Sequence, residues 1–547
     1  MPKSDVSMVT YRQPDRRWNK REPVGAHGPR LLLCVLLVLA SSSHSIADSA
    51  TQTTYCNPLP VLLADPHAMV HEGTYYVYGT SRPGRGFLVW SSRDLVNWRY
   101  RSEAFAKASD GWGQFDFWAP EVVAQDGAFV MHYSARAKRD DKRNRRVCAA
   151  RSSSPTGPFV DVRAPMFDYG KSCIDAHVFR DGDRAYLYFV EEFPNRVFVA
   201  PLTPDLTELA GERVLCLAPD QPWEGRINEG PVVFRQEGMY VMLYSGSGFG
   251  SPGYAVGYAV SSSPLGPWNK PQRSPILKRS HTASGPGHNG LVRSPDGQEL
   301  FLVYHTHRHK SAGGARQLAI DRLLTGRKED TLSISVVGPT TTPQPMPSGA
   351  PSFGMAQTDH FDGPTLDRQH WTVLNEVPET WSLGHGALTI TTHNGDLHQE
   401  RADARNVFLQ HAPPGDFRVT TRVRFAPEKP FEQAFLCVYQ DHNNYQRLSH
   451  VWAGTRQIET GCEIDGVYMN SGTPSPVEAD LVWLRITKRG YRYTSVMSLD
   501  GQKWRPVGRI WEATFCAPKV GIGAISPVSG RRISAAFELF EFESLQL

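Results

Sequence analysis

The amino-acid sequence predicts an all-β chain in two parts, a domain of repeated sheet units followed by a domain of longer strands. Three observations carry that prediction. No long stretch keeps a helical period, and short strand patterns separated by Gly, Pro, Asp and Ser run from residue 57 to about residue 335. Within that region one unit recurs. Beyond it, strands of alternating polarity such as Ala387–Thr392, Phe417–Val423 and Trp483–Thr487 suit sheets with one buried face.

Residues 1–47 read as a signal peptide that exports the chain. A basic stretch leads into the apolar run Leu31–Ala40, and Ser45-Ile46-Ala47 offers small residues for cleavage. Ten apolar residues suit a signal core and are too short to span a bilayer, so no membrane span is expected in the mature chain. Met1 and Met8 both offer a start. Of the 59 basic and 55 acidic residues, seven and three lie in residues 1–47, which leaves 52 of each. The basic balance of the precursor therefore belongs to the signal, and no nucleic-acid partner is implied.

Residues 48–337 contain the repeat. Ser152-Ser153-Ser154-Pro155 returns 109 residues later as Ser261-Ser262-Ser263-Pro264. Aromatic-rich strand patterns follow Asp65, Glu121, Asp175, Glu229 and His288, which are 56, 54, 54 and 59 residues apart. Five units of this size, each with several short strands, predict a five-bladed β-propeller whose first strands line a central channel. The anchors, taken as one phase of the repeat, are expected to converge near one mouth. Residues 338–358, rich in Pro, Thr, Ser and Gly, read as a linker, and 359–547 as a β-sandwich. Seven cysteines follow the signal without a C-x-x-C pair, so most are expected to be small buried apolar residues, with disulfide pairing left open.

Asp65, Asp175 and Glu229 are the candidate catalytic residues. Each has an alternative structural reading: Asp65 before Pro66 suits a turn, and Glu229 before Gly230-Pro231 suits an exposed bend. Three acids converging on one channel favour a shared site. Hydrolysis of a glycosidic bond with inversion needs an ionised carboxylate to activate water and a protonated one to donate to the leaving oxygen. A third carboxylate nearby raises the acid's pKa by like-charge repulsion. Phe117 and Trp118 offer either an apolar wall for a sugar ring or inter-blade core. His67 and His177 line the pocket or satisfy backbone groups, and Glu121 is read as structural or channel-lining.

The ordered motifs Asn57-Pro58, Ala64-Asp65-Pro66, Phe117-Trp118-Ala119-Pro120-Glu121, Ile174-Asp175-Ala176-His177, Asn228-Glu229-Gly230-Pro231 and Gly285-Pro286-Gly287-His288-Asn289 resemble family 43 of the glycoside hydrolases. These are five-bladed propellers that cleave with inversion. The resemblance implies Asp65 as general base, Glu229 as general acid and Asp175 as the group that tunes the acid. It implies that Arg316 lies near the catalytic centre and binds substrate or orients the acids. It implies no cofactor for the chemistry, and a structural calcium beside His288 held largely through water. Asp359-His360-Phe361-Asp362-Gly363, Trp381-Ser382-Leu383 and Tyr439-Gln440-Asp441 resemble the concanavalin-like domain that follows the propeller in family β-xylosidases.

The implied activity is exo-hydrolysis of terminal α-L-arabinofuranosyl or β-D-xylosyl groups from plant-type carbohydrate. Gly287-His288-Asn289 lacks the second His of many β-xylosidases and leans towards arabinofuranosidase-type members. The alternatives are a non-catalytic glycan-binding propeller, a galactan- or arabinan-cleaving enzyme, and a retaining fructan-type enzyme. Oligomeric state is not legible.

Overall fold

The computed structural model describes residues 51–545, apart from 142, 272–274, 311, 329–330, 400 and 472–474. The expected signal peptide, residues 1–47, lies outside the described residues. The chain is all-β; the described helices are the single turns Pro222–Glu224 and Pro378–Thr380, and none is long and apolar enough to cross a membrane.

Five antiparallel sheets follow one another in chain order. Their first strands are Ala64–His71, Phe115–Gln125, Cys173–Asp181, Asn228–Gln236 and Gly287–Arg293. Each first strand packs against the next, and the fifth against the first, so the sheets close into a five-bladed propeller. Among the described residues, four blades have four strands and the fourth blade has three.

The aromatic repeat in the second strands fills the spaces between blades. Tyr78, Tyr133, Tyr188, Tyr244 and Tyr304 are all fully buried. Burial of a phenol requires a partner for its hydroxyl. Tyr78 donates to the Pro155 carbonyl at 2.5 Å and Tyr188 to the Pro264 carbonyl at 2.6 Å, each on the next blade. Those prolines end the two Ser-Ser-Ser-Pro copies, which gives that sequence repeat a physical role.

Chain ends at the propeller seal the ring. Leu59 N–H donates to Leu318 O at 2.7 Å and Leu318 N–H returns to Val61 O at 3.0 Å. Residues 338–358 connect the two domains, but they are not a free tether. Gln344–Pro345 pairs with Thr54–Tyr55, and the Thr340 hydroxyl and N–H both donate to Asp321. Proline and threonine composition reads as a linker because it forms little regular strand; here that short backbone pairing and the bonds to Asp321 hold it down.

The C-terminal domain is a sandwich of two sheets, each of eight strands among the described residues. One sheet runs through Val407–His411, Lys519–Ile525, Gln433–Asp441, Asn444–Trp452 and Arg456–Ile464; the other through Ala387–Thr391, Ser534–Leu545, Asp416–Arg424 and Leu481–Arg489. Strict alternation turns one face of each sheet onto a core containing Trp371, Phe408, Phe417 and Phe540.

Hydrogen bonds, a disulfide and the Arg99–Glu376 ion pair at 3.2 Å join the domains. Arg308, buried on the fifth blade, donates to Asn443 Oδ1 at 2.6 Å and to the His442 carbonyl at 3.1 Å. His411 donates to Asn97 Oδ1 at 2.7 Å. Cys56 and Cys516 form a disulfide across a sequence separation of 460 residues. Among the other described cysteines, 148, 173, 437 and 462 are buried, as expected for small apolar residues, and Cys216 is partly so.

A bridge closing so long a loop restrains the unfolded chain. Replacing both Cys56 and Cys516 by Ser should cost about 2–4 kcal/mol. In thermal melts, a reductant should lower the melting temperature of the native protein and leave that of the double variant where it is.

Candidate active site

The site is built by one local irregularity repeated five times. Every first strand carries a two-residue bulge: Asp65-Pro66, Ala119-Pro120, Asp175-Ala176, Gly230-Pro231 and His288-Asn289. The leading residue of each is left-handed, with φ of 52°, 44°, 56°, 54° and 47°. A bulge bends the strand and re-aims its side chains. The N–H it frees is bonded across the blade boundary. Asp65 N–H donates to His305 Nδ1 (3.0 Å), Ala119 N–H to Thr80 Oγ1 (2.9 Å), Asp175 N–H to Ser134 Oγ (3.1 Å) and His288 N–H to Ser245 Oγ (2.8 Å). These acceptors occupy equivalent places in the neighbouring blades' second strands. Blade three has Val190 there, which cannot accept, and Gly230 N–H bonds instead to Asp175 Oδ2 at 3.0 Å. A Cβ on Gly230 would lie 3.1 Å from His288 Nδ1, so its left-handed φ and its crowding both favour glycine.

This register corrects the single phase expected for the anchors. Asp65, Asp175 and His288 lead their bulges, but Glu229 stands one residue before its bulge, equivalent to Trp118, and Glu121 stands two residues after the Ala119 position. Glu121 therefore falls in step with His67 and His177. It accepts from His177 Nδ1 at 2.8 Å and from Val178 N–H at 2.9 Å, with His67 Nδ1 3.5 Å away. Burial opposes its charge, but His177, His67 and the Val178 N–H outweigh that and pull its pKa down to about 2. Glu121 is a buried staple between blades one, two and three.

The three acids of the mouth are all nearly buried, yet differ in proton affinity. Asp65 Oδ1 accepts from Arg316 Nη1 at 3.0 Å, and Oδ2 from the Thr80 hydroxyl at 2.6 Å. Burial works against its ionisation, but Arg316 above all, with His288, His305 and Thr80, holds the carboxyl well below the usual range. Glu229 accepts from Tyr254 OH and Asn195 Nδ2, both at 2.8 Å. Burial pushes its pKa up to about 7; those two bonds resist, and the charge of Asp65 adds to the rise. Asp175 is also raised to about 7, by burial first, then by Glu229 and Asp65, against the pull of His288. His288 Nδ1 lies 3.5 Å from Asp65 Oδ1 and 4.0 Å from Asp175 Oδ2. One carboxylate held ionised and one kept protonated near neutrality are the pair that inverting hydrolysis requires.

The structure thus brings Asp65, Asp175, Glu229, His288 and Arg316 together. Trp118 stands at the same register as Glu229, and the Arg145 guanidinium lies 4.1 Å over its ring, so it stays a candidate wall of the mouth. Phe117 does not. It is fully buried, with ring centroids 5.7 Å from Phe105 and 6.0 Å from Tyr133, and belongs to the core between blades one and two. Neighbouring strand residues face opposite sides, so the pair could not both line the mouth.

Sequence reasoning missed Tyr254, Asn195 and His305. Tyr254 and Asn195 hold Glu229 from loops of no regular pattern. His305 had a signal: it follows Tyr304 as Ser134 follows Tyr133 and Ser245 follows Tyr244.

Calcium beside His288 is poorly supported by the donor set. A calcium ion takes six to eight oxygens. The carboxylates here are engaged by Arg316, Thr80, Gly230 and His177, and Asn289 Oδ1 is a buried oxygen without a partner. The channel space lined by Asp65, Glu121, Asp175 and His288 is about 20 Å³. That holds about one water. The residues present do not fit a calcium shell.

A buried, mutually repelling set of carboxylates at the mouth of a propeller channel, with one member pinned as the anion, is the equipment that cleavage of a glycosidic bond calls for. Comparison with known proteins agrees. Residues 55–326 match the family model "Glycosyl hydrolases family 43", and residues 358–543 match "Beta xylosidase C-terminal Concanavalin A-like domain". A crystal structure of a thermostable family-43 glycoside hydrolase is 44% identical, covers 54% of this chain and 99% of its own, and superposes with a TM-score of 0.51. The chain belongs to family 43 of the glycoside hydrolases. It is 28% identical to a β-D-galactofuranosidase of Aspergillus niger over 53% of this chain and 88% of that one. It is 22% identical to a xylan 1,3-β-xylosidase of a Vibrio species over 90% and 99%.

Two outcomes follow from the electrostatics. The Tyr254 hydroxyl stabilises the charged form of Glu229, so Tyr254→Phe should move the upper limb of the kcat/KM pH profile upward by about one unit. Asp175 has a folded pKa raised from 3.8 to about 7, so the stability present below pH 4 is lost as pH rises towards 7. Asp175→Asn should therefore unfold at a higher temperature than the native protein at pH 8, with the gap closing by pH 4.

Proposed function

We propose that this protein is an exported, inverting exo-glycosidase that releases terminal α-L-arabinofuranosyl or β-D-xylosyl groups from plant-type polysaccharides or oligosaccharides. The observation that carries the reading is the split between Asp65 and Glu229: Arg316 holds the first ionised, and burial keeps a proton on the second. In this reading Asp65 takes a proton from the attacking water as the water adds to the anomeric carbon. Glu229 gives its proton to the departing oxygen as the glycosidic bond breaks. Asp175 accepts from the Gly230 N–H and so fixes the backbone beside the acid. His288 spaces Asp65 from Asp175.

Support for export comes from the leader-like residues 1–47 and from the Cys56–Cys516 disulfide, a bond that persists in oxidising compartments. The galactofuranosidase relative supports a furanosyl substrate. The ring carbons of β-D-galactofuranose have the configuration of α-L-arabinofuranose, with one added carbon on the exocyclic arm. Terminal galactofuranosyl is accordingly the second reading.

Asp65→Ala should lower kcat about a thousandfold or more on every substrate. Glu229→Ala should do the same on disaccharides but much less on nitrophenyl glycosides, whose leaving group needs little protonation. Following the first-formed anomer by ¹H NMR should show inversion. A retained product, or full activity in both variants, would reject the assignment. Aryl arabinofuranoside, xyloside and galactofuranoside, compared side by side, decide the sugar.

A further inference from the structure

Among the described residues, the propeller leaves two phenylalanines broadly exposed: Phe193 at 57% and Phe249 at 52%. Every other phenylalanine packed between blades is sheltered, so these two need an account. Neither stands alone on a remote surface. Both lie in loops that grip Glu229.

Phe193 sits in Glu192-Phe193-Pro194-Asn195, and Asn195 Nδ2 donates to Glu229 Oε2 at 2.8 Å. Phe249 sits in the glycine-rich loop that ends at Tyr254, whose hydroxyl donates to Glu229 Oε1 at 2.8 Å. The two loops therefore hold the two oxygens of one carboxyl. Each ring has a guanidinium over it: Arg143 at 5.1 Å from the Phe193 centroid and Arg316 at 4.9 Å from that of Phe249. Arg316 is the residue that bonds Asp65.

The backbone holds both rings in place. His307 Nε2 donates to the Phe249 carbonyl at 2.6 Å, and Gly313 N–H donates to Gly250 O at 3.0 Å. A Cβ on Gly313 would lie 2.4 Å from Gly250 Cα, so the two loops touch where only glycine fits. Phe193 has φ of 67°, a conformation that bulky side chains rarely hold. Such strain persists where the placement of a side chain outweighs it.

We propose that Phe193 and Phe249 are the leaving-group platforms of this enzyme: they receive the sugar that departs, by stacking against its C–H face. The proposal rests on the glycosidase reading above. A general acid must touch the oxygen between the two sugars, so the departing sugar lies against the loops that flank the acid. Those loops offer two open aromatic faces, which suits a neutral sugar ring with one apolar side.

The test compares two substrates of the same released sugar: a disaccharide, and the corresponding glycosyl fluoride, which has no leaving sugar to stack. In Phe193→Ala and Phe249→Ala, the ratio of disaccharide to fluoride kcat/KM should fall about tenfold each, mainly through KM, consistent with a stacking contact. Phe249→Tyr and Phe193→Trp should restore the ratio. A ratio within twofold of the native value in both alanine variants would overturn the proposal. So would equal losses on both substrates with a displaced pH profile, which would mean that Phe249 only props Arg316. If the native protein cleaves neither substrate, the glycosidase reading itself falls.

Discussion

Every blade interrupts the pairing of its innermost strand near the mouth. It does so with a two-residue bulge whose first N–H is bonded to the blade before it. That bond is the constraint on which the rest of the site depends. It fixes the angular position of each blade against its neighbour and, by the same stroke, fixes where the side chain at the bulge points. The left-handed backbone at Asp65, Asp175 and His288 is costly for non-glycine residues. It is tolerated because an inter-blade hydrogen bond and a ring of packed tyrosines over-determine it. The geometry of the site and the closure of the propeller are consequently one structural fact.

The electrostatics follow from what this geometry brings close. Three carboxylates removed from water would all resist ionisation. Arg316 relieves one of them, and the relief is unequal because the guanidinium reaches Asp65 alone. The charge left on Asp65 then helps to hold the proton on Glu229 and Asp175. Two acids of similar burial thus acquire different roles from a single cation. Arg316 in turn rides on the hairpin of blade five, whose Arg308 is buried against Asn443 and His442 of the sandwich. The second domain braces the strand pair that carries the discriminating charge.

Part of the site was legible because repeats announce themselves. The aromatic strand patterns marked five blades, and the Ser-Ser-Ser-Pro copies marked two of their turns. The acids could be placed near one mouth on that basis, and the motifs at blade spacing resemble one family. The phase could not be read to the residue. Glu121 stands seven residues before the strand Ala128–Arg136 and Glu229 ten before Met239–Gly246, and the bulges set them three register positions apart, one stapling blades and one facing the mouth. Phe117 and Trp118 pose the same problem: adjacent in sequence, they face opposite sides of one strand.

By itself the sequence determined the all-β class, the count of blades, the order of the domains and the set of acids available for chemistry. These depend on local pattern, which composition and spacing carry directly. The tertiary structure decided which carboxyl stays ionised, which histidines serve as staples, and that Tyr254 and Asn195 hold the acid. It also decided that Cys56 finds Cys516 and that residues 338–358 are strapped down. Each of these is a meeting of groups far apart in the chain, from Asn195 and Glu229 at 34 positions to Cys56 and Cys516 at 460. Their energies arise from burial and proximity, which exist only once the blades have closed.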